Sequence, residues 1–219
     1  EIVESCLAEQ RRLVSGYGGS EFMDKAKWKE AFEPKHVAIS LSGEPTLYPY
    51  LPELIEEFHK KELTTFVVTN GTNPEMVGKL KPTQLYISLN APDRETYDKV
   101  CAPLGDTWEN IMQSMEIMKD SDTRTAVRIT LTKGINMVNP EGFAHLIGLA
   151  EPDYVELKAY MHLGFSRKRL TLDNMPSHEE VRGFSKQVAE ALGYCIADES
   201  GNSRVVLLSK GGTKQAVCP

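Results

Sequence analysis

The 219-residue sequence predicts an α/β fold: a partial (β/α) barrel of mostly parallel strands with outer helices, closed by a C-terminal hairpin. Three observations predict it. Apolar runs suited to buried strands alternate with amphipathic helical segments in units of roughly thirty residues, a rhythm that calls for parallel strands joined by right-handed crossovers. Most of the runs split into one apolar row and one polar row. The polarity increases toward the strands' C-terminal ends, where such folds place their ligands.

The elements follow in order. Glu1 to Ser15 reads as an amphipathic helix that opens with neither a Met nor a cap, so upstream sequence is expected. Strands are expected at His36–Leu41, Thr65–Thr69, Gln84–Leu89, Val127–Leu131 and Tyr154–Lys158. After the first, Leu51, Leu54, Ile55 and Phe58 recur at helical spacing behind Pro49 and Pro52. The same period marks Trp108 to Met118 and Gly142 to Leu149, and also Val181 to Leu192 behind a Ser177 cap with Glu180 three residues on. Tyr194 to Asp198 and Arg204 to Ser209 flank a turn-rich segment and read as a hairpin, beyond which Lys210 to Pro219 has no pattern. No repeat or linker interrupts the chain, so one domain over residues 1–219 is expected.

Side chains alternate faces along a strand. One row, Val37, Ile39 and Leu41 with Leu85, Ile87 and Leu89, Val127, Ile129 and Leu131, and Val155, Leu157 and Ala159, suits packing under helices. The other is polar: Ser40 and Ser42; Tyr86, Ser88 and Asn90; Arg128, Thr130 and Thr132; Glu156, Lys158 and Tyr160. Parallel sheets are normally covered on both faces, so a polar row implies a cavity for a polar ligand or a face set against another domain.

The composition, 41% hydrophobic and 26% charged, fits a globular domain. A net charge of −6 argues against sequence-independent nucleic-acid binding while leaving room for a local basic patch. No apolar stretch is long enough to span a membrane, and the expected location is the cytoplasm. Cys6, Cys101, Cys195 and Cys218 are scattered without metal-site spacing and read as structural, buried thiols.

The strand endings carry a resemblance. They are Leu41-Ser42-Gly43-Glu44-Pro45-Thr46, Thr69-Asn70-Gly71-Thr72, Ser88-Leu89-Asn90-Ala91-Pro92 and Thr130-Leu131-Thr132-Lys133-Gly134-Ile135-Asn136-Met137. As an ordered set they resemble the radical S-adenosylmethionine superfamily, in which the first of these turns is usually Gly-Gly-Glu. With Leu13 to Gly19 and Val155 to Ser166 added, the chain most resembles the tRNA 4-demethylwyosine synthase family. The resemblance implies S-adenosylmethionine bound by Ser42, Gly43, Glu44, Thr69, Asn70, Ser88, Asn90, Thr130 and Thr132. It also implies a [4Fe-4S] cluster, yet the family's Cys-x3-Cys-x2-Cys loop is absent from these residues, so its ligands are expected upstream of residue 1 and no metal ligand is assigned here.

The implied reaction condenses pyruvate with N1-methylguanosine in tRNA, with an electron donor such as flavodoxin or ferredoxin; a monomer is expected. A Schiff base with pyruvate needs a neutral amine, which burial favours, and Lys158 is the candidate. The alternative for Lys158 is an ion pair with Glu156 on the same face. Arg128 suits a carboxylate, whether of substrate or of Glu156. Tyr160, His162 and the basic Ser166-Arg167-Lys168-Arg169 are placed to meet substrate or tRNA phosphates, while Tyr17 and Trp28 read as core residues or base-stacking surfaces. Two other functions compete: a pyruvate-dependent Schiff-base aldolase, which accounts for Lys158 without a cluster, and a non-catalytic tRNA-binding scaffold.

Overall fold

A computed structural model describes residues 1–211. Two helices, α1 (Ile2–Ser15) and α2 (Lys25–Glu30), precede β1 (His36–Ile39), a short 3-10 turn (Pro45–Leu47), α3 (Leu51–His59) and β2 (Thr64–Thr69). The alternation continues with α4 (Pro74–Val77), β3 (Gln84–Ser88), α5 (Arg94–Cys101), α6 (Trp108–Lys119), β4 (Arg124–Leu131), α7 (Pro140–Ala150) and β5 (Tyr154–Ala159). Two 3-10 turns (Gly164–Lys168 and Leu172–Asn174) lead to α8 (His178–Leu192) and the hairpin β6 (Cys195–Ser200) and β7 (Val205–Ser209).

Among the described residues the strands form one seven-stranded sheet in the order β1-β2-β3-β4-β5-β7-β6, with β1 to β5 parallel and the hairpin antiparallel. In the hairpin, β7 lies directly against β5, pairing Lys158 with Val205 and Glu156 with Leu207. The helices cover one face. There Val67, Ile87, Val127 and Leu157 are wholly buried beneath Met115, Phe143 and Val181, and the Phe143 and Phe184 rings meet edge to face at 5.9 Å. Each such side chain contributes about 1.5–3 kcal/mol on burial, so this outer layer holds the sheet together and leaves the inner row free for polar residues.

Local signals set the helix ends. Ser177 Oγ accepts from the Glu180 amide while the Glu180 carboxylate accepts from the Ser177 amide, and Gly193, at φ 75°, ends α8. Asp93 accepts from the Thr96 amide to start α5, which stops at a left-handed Ala102 before Pro103.

Two expectations are corrected. Leu41 does not belong to the buried row: the chain leaves the sheet after Ile39, turns at Leu41 with φ 90°, and exposes that side chain almost fully. Cys6, Cys101 and Cys195 are free and solvent-exposed rather than buried, while Cys218 lies outside the described residues. Trp28 packs against Phe32 and donates its indole N–H to the Val14 carbonyl, whereas Tyr17 is exposed. Among the described residues no helix is long and apolar enough to cross a membrane.

Candidate active site

Two separate hollows border the polar row. At the strands' N-terminal ends a hollow of about 440 Å³ is lined by Phe66, Gln84, Tyr86, Arg124, Tyr154 and Glu156, among others. At the C-terminal ends a second, of about 380 Å³, is bordered by Asn70, Ser88, Asn90, Tyr97, Cys101 and Thr107. The polar row predicted from the sequence supplies Ser88 and Asn90 to the upper hollow and Tyr86 and Glu156 to the lower one.

The turn after β1 is clamped to β2 through one carboxylate. Pro45 keeps Glu44 extended (φ −105°, ψ 114°), and the Glu44 oxygens accept from Thr46 N at 3.1 Å, Thr46 Oγ1 at 2.8 Å, Thr69 Oγ1 at 2.6 Å and Asn70 N at 2.8 Å. Glu44 therefore shapes the turn around Ser42 and Gly43. Gly43 has φ 81°, a conformation that a side chain would strain. Thr69 is buried, its hydroxyl donating to Glu44 Oε1 at 2.6 Å and accepting from the Gly71 amide at 3.1 Å. Asn70 is exposed at the rim, with its Oδ1 accepting from the Thr72 amide and hydroxyl.

Asn136, inconspicuous within its strand-end segment, joins the ends of β3 and β4. It is fully buried, its Nδ2 donates to the Asn90 and Thr130 carbonyls at 2.8 Å each, and its Oδ1 accepts from Thr132 N at 2.6 Å. Asn90 Oδ1 accepts from Thr130 N at 2.9 Å. Asn90, Thr130 and Thr132 are thus brought together, with Thr132 buried. An Asn just past a glycine at a strand end was the available signal. Beside them, Cys101 presents surface to solvent while its thiol is partly enclosed by the hollow, and that partial burial pushes it up to about 11.

Farther in, Arg128 Nε lies 2.9 Å from Glu156 Oε1, and its guanidinium stacks over the Tyr86 ring at 4.7 Å from the centroid. Burial, with Glu156 nearby, raises the Tyr86 hydroxyl. Glu156 is thereby paired with Arg128 rather than Lys158. The Lys158 ammonium, half-buried on the same face, has no hydrogen bond or ion pair among the described residues. Beyond β5, Tyr160 is buried and its hydroxyl meets Ser166 Oγ at 2.9 Å and His162 Nδ1 at 3.2 Å, pinning the start of the basic loop, while Arg167 is exposed.

The residues present suit S-adenosylmethionine but not a cluster. The Ser88 hydroxyl and the Asn70 and Asn90 side-chain amides have hydrogen-bonding capacity left over at the hollow's edge, the donor set that ribose hydroxyls and a carboxylate require. Among the described residues no group of three His, Cys, Asp or Glu side chains could hold a metal ion.

Comparisons with known proteins bear on this site. The model of the "Radical SAM superfamily" matches residues 20–147 and that of "Wyosine base formation" matches residues 149–210. The S-adenosyl-L-methionine-dependent tRNA 4-demethylwyosine synthase of Pyrococcus abyssi is 54% identical over 216 residues, covering 95% of this chain and 63% of that protein. The Methanocaldococcus jannaschii protein of the same name is 45% identical over 214 residues, covering 97% of this chain and 68% of that protein. The chain thus spans about two thirds of the length of these relatives. Two solved structures superpose on it: one described as TYW1 with a lysine-pyruvate adduct bound (TM-score 0.88, 44% identity, 97% of this chain and 69% of that one) and one of archaeal TYW1 (TM-score 0.82, 42% identity, 97% and 70%).

Proposed function

The chain belongs to the radical S-adenosylmethionine superfamily and, within it, to the tRNA 4-demethylwyosine synthases, and from that premise we propose that it forms most of the barrel of such an enzyme, condensing pyruvate with N1-methylguanosine in tRNA. When bound, S-adenosylmethionine with its cluster supplies the hydrogen-abstracting radical. The cysteine loop that would hold the cluster is not among the 219 residues, so the proposal assigns the cluster to residues outside them.

In this reading Asn70, Ser88 and Asn90 border the cofactor at the upper hollow, Ser42, Gly43 and Thr130 meet it from the neighbouring strand ends, and Glu44, Thr69, Asn136 and Thr132 hold those ends in position. Lys158 is the amine for pyruvate. Its nitrogen attacks the keto carbon, the carbonyl oxygen leaves as water, and a C=N bond remains. The observation that carries this role is the Arg128–Glu156 pair, which takes the nearest carboxylate on Lys158's own strand face away from the amine. The relative described with a lysine-pyruvate adduct supports the same chemistry. Arg128 and Glu156 are then a structural pair rather than direct substrate ligands, and the loop of His162 and Arg167 faces tRNA. The electron donor is a flavodoxin-like or ferredoxin-like protein, the protein works in the cytoplasm, and it acts as a monomer.

The test uses the full-length gene product, prepared without oxygen and supplied with dithionite. Reductive cleavage of S-adenosylmethionine together with a tricyclic base on N1-methylguanosine tRNA, dependent on pyruvate, is the expected result. A pyruvate adduct without cleavage would favour the aldolase, and neither activity would favour the scaffold.

A further inference from the structure

We propose that Phe165 is a base-stacking platform for the anticodon-loop RNA, a role that rests on the tRNA reading above. Phe165 sits on the 3-10 turn Gly164–Lys168, downstream of the strand that bears Lys158, and is 82% exposed. Single exposed apolar residues are common, so exposure alone assigns the ring no role. Three further observations give it one. Lys168 Nζ lies over one face of the ring at 5.2 Å from its centroid, which leaves the opposite face as an open π surface. Arg167, Lys168 and Arg169 are all exposed, and among the described residues none forms an ion pair, whereas Lys99 in α5, and Lys60 and Lys79 just past the ends of α3 and α4, each pair with a neighbouring glutamate. No Asp or Glu occurs between Glu156 and Asp173, a local reversal of a chain whose net charge is −6.

A π surface flanked by unpaired cations is the chemistry that recognises single-stranded nucleic acid: bases stack on the ring and phosphates meet the cations. The turn is also anchored rather than loose, because Ser166 Oγ donates to the Leu163 carbonyl and is held by the Tyr160 hydroxyl at the end of β5. A stacked base is therefore fixed relative to the Lys158 strand. The segment lies within the part of the chain matched by the wyosine model and outside the part matched by the general superfamily model, as a substrate-specific contact requires.

The experiment measures the affinity of the full-length protein for a fluorescent anticodon stem-loop RNA carrying N1-methylguanosine. Phe165→Ala and Phe165→Leu each weaken binding by about tenfold, Phe165→Trp preserves it, and Phe22→Ala, which truncates another exposed phenylalanine, leaves it unchanged. Arg167→Ala weakens binding and flattens its salt dependence. Equal affinity of Phe165→Leu and wild type, or an equal loss in Phe22→Ala, overturns the stacking role. So does loss of binding to anionic phospholipid vesicles with RNA affinity unchanged, which would make the loop a membrane contact. RNA binding that depends on Phe165 in a wild-type protein that forms no product would instead refute the proposed reaction and leave the platform standing.

Discussion

Arg128 and Glu156 stand opposite each other on neighbouring parallel strands, and their side chains close a pair 2.9 Å apart with the Arg128 guanidinium over the Tyr86 ring. Both are largely shielded from water, so removing one strands the other's charge. Glu156→Leu should lower unfolding free energy by about 1–3 kcal/mol in urea melts, and Arg128→Met/Glu156→Leu together should recover most of the loss. Arg128→Met alone should also slow pyruvate adduct formation, because it frees Glu156 to hold the Lys158 ammonium.

Asn136 offers a second test. Replacing it with Ala leaves the Asn90 and Thr130 carbonyls and the Thr132 amide without their partner in a buried site. The expected cost is about 3 kcal/mol, with weaker S-adenosylmethionine binding as the β3 and β4 ends part. Thermal melts and isothermal titration of the full-length protein check both; unaltered values for each would show that the joint is dispensable.

The acid limb of stability should carry the mark of Glu151. Hydrogen bonds from Lys119 and Lys210 lower its carboxyl from 4.5 to about 2. A carboxyl depressed in the folded state contributes stability that is present above its unfolded value and is lost as pH falls from about 4.5 through about 2. Glu151→Gln should therefore flatten that stretch of a stability–pH curve, and high salt should shrink the difference because the group is exposed.

Much of this was legible from the residues. Within the strands Tyr86 and Ser88, and Glu156 and Lys158, alternate with buried apolar neighbours, as strand geometry requires, whereas Tyr160 lies past β5 and is buried against Ser166 and His162. The capping residues Ser177 and Glu180 fixed the start of α8 for the same local reason. What was hidden depends on contacts distant in sequence. That β7 docks on β5 is a pairing no window of residues encodes. That Glu44 is saturated depends on Thr69 and Asn70, far along the chain. The choice Arg128 makes between a ligand and Glu156 is decided by strand register, which a sequence of alternating residues leaves open. Helix α5 carries no repeating apolar stripe in the sequence, because only Tyr97 of its side chains is buried.

The central claim, that Lys158 is the amine that takes pyruvate, is tested most directly by trapping. The full-length protein is incubated with pyruvate and cyanoborohydride, digested, and its peptides weighed. The account predicts the mass of a reduced pyruvate adduct on Lys158, abolished in Lys158→Ala by a protein that still binds S-adenosylmethionine. An adduct on a different lysine, undiminished in Lys158→Ala, would contradict it.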